Sequence, residues 1–267
     1  MDAMPDLFAA PKAPAPGSPA LAPLRAAGFD LAARNHAEAI LSVDFAAETA
    51  ELVTALRAVA IPAAELIASG GGEAASTQRL RRVLTRAGWG KHVFEIVTTV
   101  NGRPLGDGTS HEVDHVRTGP AGTLALEIEW NNKDPFFDRD LENFQRLHAA
   151  GIISAGMIVT RGAGLQAAMG GIVERTLRAM GVAGEDALAA LGVKARTDRQ
   201  RRAVARAMAR GHDFPAAFTP SFVADKFGPA TTHWSKLEER IARGVGGPCP
   251  LLLIGLPETV VAPHPAG

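Results

Sequence analysis

The alternation of apolar and polar residues is most regular between residues 110 and 130. Two segments, 110–118 and 123–130, alternate with a period of two and flank the sequence Gly-Pro-Ala-Gly at 119–122. This period is typical of a strand that buries one face. Two such segments joined by a short loop predict a β-hairpin.

The pairing within this hairpin follows from its loop. If Thr118 lies opposite Thr123, then Asp114 lies opposite Glu127 and Glu112 lies opposite Glu129. Side chains alternate between the two faces of a strand, so one face gathers four carboxylates: Glu112, Asp114, Glu127 and Glu129. The other face takes the intervening side chains: His111, Val113, His115, Leu126, Ile128 and Trp130. Opposed like charges repel, so the hairpin is expected to hold a divalent metal ion.

The rest of the chain alternates between helical and strand patterns. Apolar residues at helical spacing predict these helices: one or two between Leu31 and Val59, a short one from Ser76, one capped by Asp138 or Asp140, Gly170–Met180, and Leu237–Arg243. Apolar runs predict these strands: His92–Val100, Ile152–Thr160 and Leu251–Ile254. The order helix, strand, hairpin, helix, strand predicts an α/β fold with a mixed central β-sheet flanked by helices.

Proline is repeated through residues 1–23, where large apolar residues are few. Such a segment buries too little apolar surface to offset the entropy lost on ordering. A disordered Ala/Pro-rich arm is therefore expected at residues 1–23, followed by a single domain at residues 24–267.

Charge adds one feature to this picture. The chain has 28 basic and 28 acidic residues, so a nucleic-acid partner has to be bound by a local basic patch. The segment Lys194–Arg210 contains seven Lys or Arg residues and one Asp. A helix would align four of these arginines: Arg199, Arg202, Arg206 and Arg210. Both a solvated helix face and a phosphate-contacting surface are consistent with this pattern.

Two further observations concern the compartment. The single cysteine, Cys249, excludes an intramolecular disulfide and suits a reducing environment. No apolar run approaches the ~20 residues that span a bilayer. We therefore expect a soluble cytoplasmic protein without a membrane partner.

The sequence from His111 to His115 matches the H-E-x-x-H motif of zinc proteases. That chemistry requires a helix, on which both histidines share a face and bind zinc while the glutamate acts as base. Glycines lie shortly before the motif and Gly119-Pro120 follows it, which leaves room for barely two and a half helical turns. A strand is favoured here, and zinc chemistry remains the less favoured alternative.

A second pattern is Asp114, twelve residues, and then Glu127-Ile128-Glu129. An Asp on one strand that faces an acidic pair on the next supplies the hard oxygen ligands that Mg²⁺ prefers. A metal-activated water can then attack a phosphodiester as hydroxide. The pattern alone is weak, because many surface hairpins carry acidic residues.

The segments Ser110–Val116, Leu126–Asp138 and Phe144–His148 are similar to the nuclease core of type II restriction endonucleases of the BglII and BamHI group, within the PD-(D/E)xK superfamily. The resemblance extends over roughly residues 66–161. Val113 stands where the superfamily pattern has Pro, and Glu129 stands where Lys is usual. The second departure is shared with the BamHI branch.

The resemblance implies a restriction-endonuclease-like core and a set of catalytic residues. Asp114 and Glu127 would be metal ligands, and Glu129 would orient or deprotonate the attacking water. Glu95 resembles an additional acidic residue near the site, although a glutamate on a strand surface is equally compatible. Base recognition would draw on a wider set of candidates: Arg103, Arg117, Asn131, Asn132, Arg161, His233 and Lys236.

The function implied is Mg²⁺-dependent cleavage of double-stranded DNA at a short palindromic site. A homodimer is expected because two-fold protein symmetry matches a two-fold DNA site. DNA-binding and dimerisation elaborations would lie in the C-terminal part, and a cognate DNA methyltransferase would be the functional partner. Two alternatives stay open, namely a related nuclease of repair, recombination or transposition, and a catalytically silent DNA-binding protein.

Overall fold

The computed structural model describes residues 17–68, 73–193 and 196–264. Most of the expected arm, residues 1–16, lies outside these ranges, as do Lys194 and Ala195 of the basic segment. The end of the expected arm is folded. Pro19–Leu21 form a 3₁₀ helix, and the side chains of Leu21 and Leu24 are fully buried. The ordered chain therefore begins before residue 24, because two leucines within a proline-rich stretch pack into the core.

The described residues form helices before and after a stretch of strands that lies between Arg86 and Phe136. Their bounds are α1 Ala22–Ala26, α2 Ala37–Val43, α3 Ala46–Arg57, α4 Ala63–Ile67, α5 Ala75–Arg86, α6 Phe136–Ala149, α7 Ala163–Ala179, α8 Glu185–Ala190, α9 Asp198–Ala209, α10 Phe214–Lys226 and α11 Trp234–Ala242. None of them is long and apolar enough to cross a membrane.

The strands form one large sheet and two small ones. Their bounds are β1 Asp30–Arg34, β2 Ile61–Pro62, β3 Gly90–Ile96, β4 Thr99–Val100, β5 Arg103–Pro104, β6 Thr109–Gly119, β7 Gly122–Glu129, β8 Ala155–Arg161, β9 Leu251–Leu256 and β10 Val261–Ala262. The large sheet has six strands in the order β1-β9-β8-β7-β6-β3. β7, β8 and β9 run parallel, whereas β6, β3 and β1 are antiparallel to their neighbours.

Helices cover both faces of this sheet, and each face has its own apolar core. α6 and α11 pack on one face, together with Val113, Ala125 and Ile158. The larger core on the other face contains Leu124 and Leu126 and receives α1 to α5 and α7 to α10. The central strands β8 and β9 are buried along their whole length, as expected for strands covered on both sides. The predicted α/β fold with a mixed central sheet is thus confirmed.

Two local expectations were wrong. The segment from residue 31, predicted to begin a helix, starts with strand β1, which pairs with β9 at the sheet edge. Five residues of mixed polarity gave no strand signal by themselves, because this strand depends on its partner. Neither Asp138 nor Asp140 caps α6, which begins at Phe136 after Pro135.

Candidate active site

The hairpin of β6 and β7 forms in the predicted register near its loop. Thr118 pairs with Thr123, and the ladder runs outward to His115 opposite Leu126. The β6–β7 ladder ends there. Asp114 and Glu127 are thus the first residues beyond the paired region, and the predicted pairing of Glu112 with Glu129 is wrong because the ladder ends before it.

A β-bulge in β6 accounts for this divergence. Val116 pairs with Gly90 of β3, whereas Val113 pairs with His92, so Asp114 and His115 together lie opposite Lys91. A bulge places two residues against one and redirects the side chains beyond it. The strict alternation assumed for β6 therefore fails at Asp114.

The bulge changes which face several side chains occupy. Val113 packs in the core beneath α6, and His111 lines a small cavity with Asn143 and Arg146 of α6. Both were expected on the opposite face. His115 does lie on the expected face, the one that carries the larger core, where it is buried beside Leu126. Burial lowers the pKa of His115 to about 4.

β7 keeps its alternation. Leu124, Leu126 and Trp130 point into the larger core, and Ile128 packs against it. Glu127 and Glu129 therefore point the other way, towards α6. Each is almost fully buried, with relative exposures of 4% and 3%.

A third carboxyl group, from Asp140 of α6, completes the cluster. Asp140 is 1% exposed, and its carboxyl group lies close enough to that of Glu129 for its charge to contribute, after burial, to the raised pKa of Glu129. We refer to Glu127, Glu129 and Asp140 as the carboxylate cluster. The sequence pattern did not mark Asp140 as a site residue, because its proximity to Glu129 depends on how α6 packs on the sheet. The helical spacing of Asp140 with the buried Phe137, Leu141 and Phe144 was the available signal.

The electrostatics of the cluster favour bound protons or a bound cation. Burial, reinforced by the negative charges of Asp140, Asp114 and Glu129, raises the pKa of Glu127 to about 9. Burial and the charge of Asp140 raise the pKa of Glu129 to about 8. Such shifts are expected where carboxyl groups crowd together in a poorly solvated place.

Polar neighbours fix the orientation of Glu129. The side-chain amide of Asn132 donates to Glu129 Oε2 over 2.8 Å, and the hydroxyl of Thr160 donates to its main-chain carbonyl over 2.8 Å. Arg139 Nη2 lies 3.8 Å from Glu129 Oε1. One carboxylate oxygen of Glu129 therefore faces an amide and the other faces a cation.

Asp114 lies at the margin of this cluster. Its main-chain amide lies close enough to the carboxyl group of Glu127 to lower the pKa of that group, against the larger opposite effect of burial. Its side chain is half-buried and points to Lys91, whose Nζ is 3.3 Å from Asp114 Oδ1 and 2.7 Å from Glu112 Oε1. Glu112 is thus an exposed ion-pair partner of Lys91 and is not part of the carboxylate cluster.

Glu95 is not brought to the cluster. It is exposed on β3 and pairs with Ser110, four residues along β6 from Asp114, a separation of roughly 13 Å at strand spacing. Its neighbours Phe94 and Ile96 pack towards α6, so its side chain points to the other face.

The zinc-protease alternative is not supported. His111 to His115 lie on a strand, and their two imidazoles are on opposite faces of the sheet. Within the described ranges, no three or more His, Cys, Asp or Glu side chains are arranged as a ready metal-binding group. The side chains of the carboxylate cluster are therefore not arranged as a ready metal-binding group either.

A cleft of about 720 Å³ opens beside Asp114, between α4, α5 and the end of β7. Asn131, Asn132 and Lys91 line it, together with Arg81 and Lys226. Its mouth thus combines amide side chains with cations, which are the groups that contact DNA bases and phosphates.

The candidates for base recognition differ in accessibility. Arg161 and His233 are buried, and Arg117 forms an ion pair with Glu51, so these three are tied into the protein. Asn132 is exposed at the cleft, and Arg103 is exposed at the tight β4–β5 hairpin. The four arginines of the basic segment, Arg199, Arg202, Arg206 and Arg210, are exposed on α9 and at its C-terminal end. No ion pair of theirs is found among the described residues.

Comparison with known proteins gives one family. Residues 29–256 match the model of the family described as restriction endonuclease BglII/BglIII, a longer stretch than the resemblance visible from the motifs. No curated protein matches the chain significantly. The matched region contains the whole six-stranded sheet, the bulge and the carboxylate cluster. The chain therefore belongs to the BglII/BglIII restriction endonuclease family and is a type II restriction endonuclease, a site-specific deoxyribonuclease.

Proposed function

We propose that this restriction endonuclease cleaves duplex DNA at a short palindromic site with Mg²⁺ as its cofactor and that the carboxylate cluster is its catalytic centre. The observation that carries this proposal is the burial of Glu127, Glu129 and Asp140 together, with one arginine as the nearby cation. Restriction endonucleases of this kind are generally metal-dependent. The identity of the metal is inferred from the ligand chemistry.

The residues fit a hard divalent cation. All donors in the cluster are carboxylate oxygens, which Mg²⁺ prefers, and Asp140 Oδ2 is buried without a hydrogen-bond partner. A cation would offset the burial and the mutual repulsion that raise the pKa values of Glu127 and Glu129. We assign Glu127 and Asp114 as the metal ligands, since the Asp114 amide already contacts the Glu127 carboxyl group.

A bound Mg²⁺ supplies Lewis acidity, which lowers the pKa of a water molecule and offsets charge on the phosphate. Glu129 would orient this water and accept its proton. Asn132 supports that role, because its amide holds the Glu129 carboxylate, and Thr160 fixes the main chain at the same residue. A general base works best when its pKa lies near the working pH, and the pKa of Glu129 is about 8.

Two-fold symmetry of the DNA site supports a homodimer, in which each subunit cuts one strand. The exposed arginines of α9 would contribute sequence-independent contacts to the DNA backbone. A cognate methyltransferase would protect the host's own sites, and the enzyme would act in the cytoplasm, where that DNA is found.

Digestion of plasmid and genomic DNA tests this proposal. We expect discrete fragments with Mg²⁺ and none with EDTA, and sequenced ends that share an inverted repeat. Smeared or structure-dependent products would indicate a repair or recombination nuclease instead. Failure to cleave any DNA of a broad panel would indicate a catalytically silent DNA-binding protein. Light scattering would show whether the active species is a dimer.

A further inference from the structure

The side chain of Arg139 lies at the exposed edge of the carboxylate cluster. Its Nε and Nη2 lie 2.8 and 2.7 Å from the same atom, Asp140 Oδ1, and Nη2 is 3.8 Å from Glu129 Oε1. The guanidinium carbon lies 4.5 Å from the ring centre of Phe136. Three groups thus fix the position of one cation.

Arg139 is nevertheless accessible. Its side chain is 53% exposed, whereas its partner Asp140 is fully buried. An arginine carries five N–H donors, and two of them point to Asp140. The other donors remain available to an anion that approaches the cluster from solvent.

The cluster needs a cation at this point. In the superfamily pattern that this chain resembles, a lysine usually stands two residues after the metal-binding glutamate, and here that residue is Glu129. A phosphodiester that enters a site of buried carboxylates meets like charge. Donors placed where charge develops in a transition state are a large part of catalysis. Among the ion pairs formed by the described residues, those of Arg139 place a basic side chain closest to the carboxylate cluster.

We propose that Arg139 is a catalytic residue that binds a non-bridging oxygen of the scissile phosphate, and that Asp140 is its positioning residue. This inference rests on the proposed function. During hydrolysis, a water oxygen bonds to phosphorus, the water proton passes to Glu129, and the bond from phosphorus to the leaving oxygen breaks. The leaving oxygen takes a proton from solvent. Arg139 donates hydrogen bonds throughout and exchanges no proton.

Arg146 is the matched control. It lies two turns further along α6 and is 60% exposed, and its one ion pair among the described residues is with Glu142 of the same helix, 3.4 Å away. Substitution of either arginine by alanine removes one exposed positive charge from the same helix. A difference in cleavage rate between the two variants therefore reflects where the lost charge lay on α6, and not the loss of a charge as such.

The test compares Arg139→Ala, Arg139→Lys and Arg146→Ala. Single-turnover cleavage is measured with Mg²⁺, and DNA affinity is measured on the Glu127→Gln background, which prevents turnover. We expect Arg139→Ala to slow cleavage on the order of 10² to 10³-fold, with a much smaller change in affinity. Arg139→Lys should recover part of the rate, because lysine keeps the charge but loses the two-pronged geometry. Added free guanidinium ion should partly restore Arg139→Ala.

Equal cleavage by Arg139→Ala and Arg146→Ala would overturn the inference, as would a loss of affinity as large as the loss of rate. Arg139→Ala leaves Asp140 buried without its partner, so the variant could unfold. In that case Arg139→Met/Asp140→Asn, which removes both charges together, takes its place in the same assays. A wild-type enzyme that cleaves no DNA would refute the proposed function itself, which separates that failure from this one.

Discussion

The side chain of Asp140 lies beside that of Glu129 where α6 packs on β7, and both are almost fully buried. Burial first, and the charge of Asp140 next, raise the pKa of Glu129 to about 8. Burial also raises the pKa of Asp140. Carboxyl groups that crowd together in a poorly solvated place hold protons more tightly than free ones do, and a bound cation would displace those protons at the proposed catalytic centre.

The stability of the metal-free enzyme should depend on these protons. The pKa of Glu127 is raised from 4.5 to about 9 in the folded state. The folded protein keeps a proton that the unfolded chain releases, so this stability is present in full below about pH 4.5 and is lost as the pH rises towards 9. In EDTA, the free energy of unfolding should fall relative to Glu127→Gln, by up to about 1.4 kcal/mol per pH unit.

Urea titrations of wild type and Glu127→Gln at pH 6, 7 and 8 measure this difference. Other groups titrate in both proteins, so only the gap between the two curves is diagnostic. Added Mg²⁺ should stabilise the wild type more at pH 8 than at pH 6, because fewer protons must be displaced. Parallel pH dependences in EDTA would show that Glu127 is ionised in the folded protein.

Substitution of Glu127 by alanine should abolish cleavage but preserve DNA binding. The side chain is assigned to the metal, and it lies away from the cleft lined by Asn131 and Asn132. Cleavage with Mg²⁺ should fall by roughly 10²-fold or more, while the dissociation constant in the absence of metal should change little. Glu142→Gln, an exposed glutamate on α6, is the control and should cleave normally. Retained cleavage by Glu127→Ala would refute the assignment of the site.

The exposed arginines of α9 should determine part of the salt dependence of DNA binding. Each arginine that binds a phosphate releases condensed counterions, so the slope of log K against log salt is about −0.9 per neutralised phosphate. Replacement of Arg202 and Arg206 by alanine should make the slope shallower by up to about 0.9 for each arginine that binds a phosphate. Replacement of Arg34 and Arg57, which are exposed elsewhere, provides a control with the same change in net charge. Equal slopes for both double variants would show that α9 is simply a solvated helix face.

Arg161 should contribute to stability and not to DNA recognition. It is fully buried, donates to the Thr232 carbonyl over 2.7 Å and to the Thr231 hydroxyl over 2.6 Å, and burial lowers its pKa to about 9. Arg161→Met leaves that carbonyl unsatisfied, which should lower the free energy of unfolding by about 1–3 kcal/mol. Arg103→Met, at an exposed hairpin, should leave the free energy of unfolding unchanged. Altered cleavage specificity with unchanged unfolding by urea would show instead that Arg161 reaches DNA.

The six-stranded sheet could be predicted in outline, because each central element has a local signal. The run at residues 152–160 and the run at residues 251–254 are apolar throughout, and both proved to be fully buried strands. The edge strand β1 gave no such signal. It is held by hydrogen bonds to β9, more than two hundred residues away in the sequence.

The hairpin and the common orientation of Glu127 and Glu129 could be read from the amino-acid order alone, because alternation along a strand is a local property of the backbone. What faces these two side chains depends on tertiary packing. The bulge at Asp114 arises from the pairing of β6 with β3, and it turns the side chain of Asp114 towards Lys91. Asp140 and Arg139 reach the site through the packing of α6 on the sheet. These contacts join residues from separate elements, so their positions depend on the burial of two apolar cores and not on any spacing in the sequence.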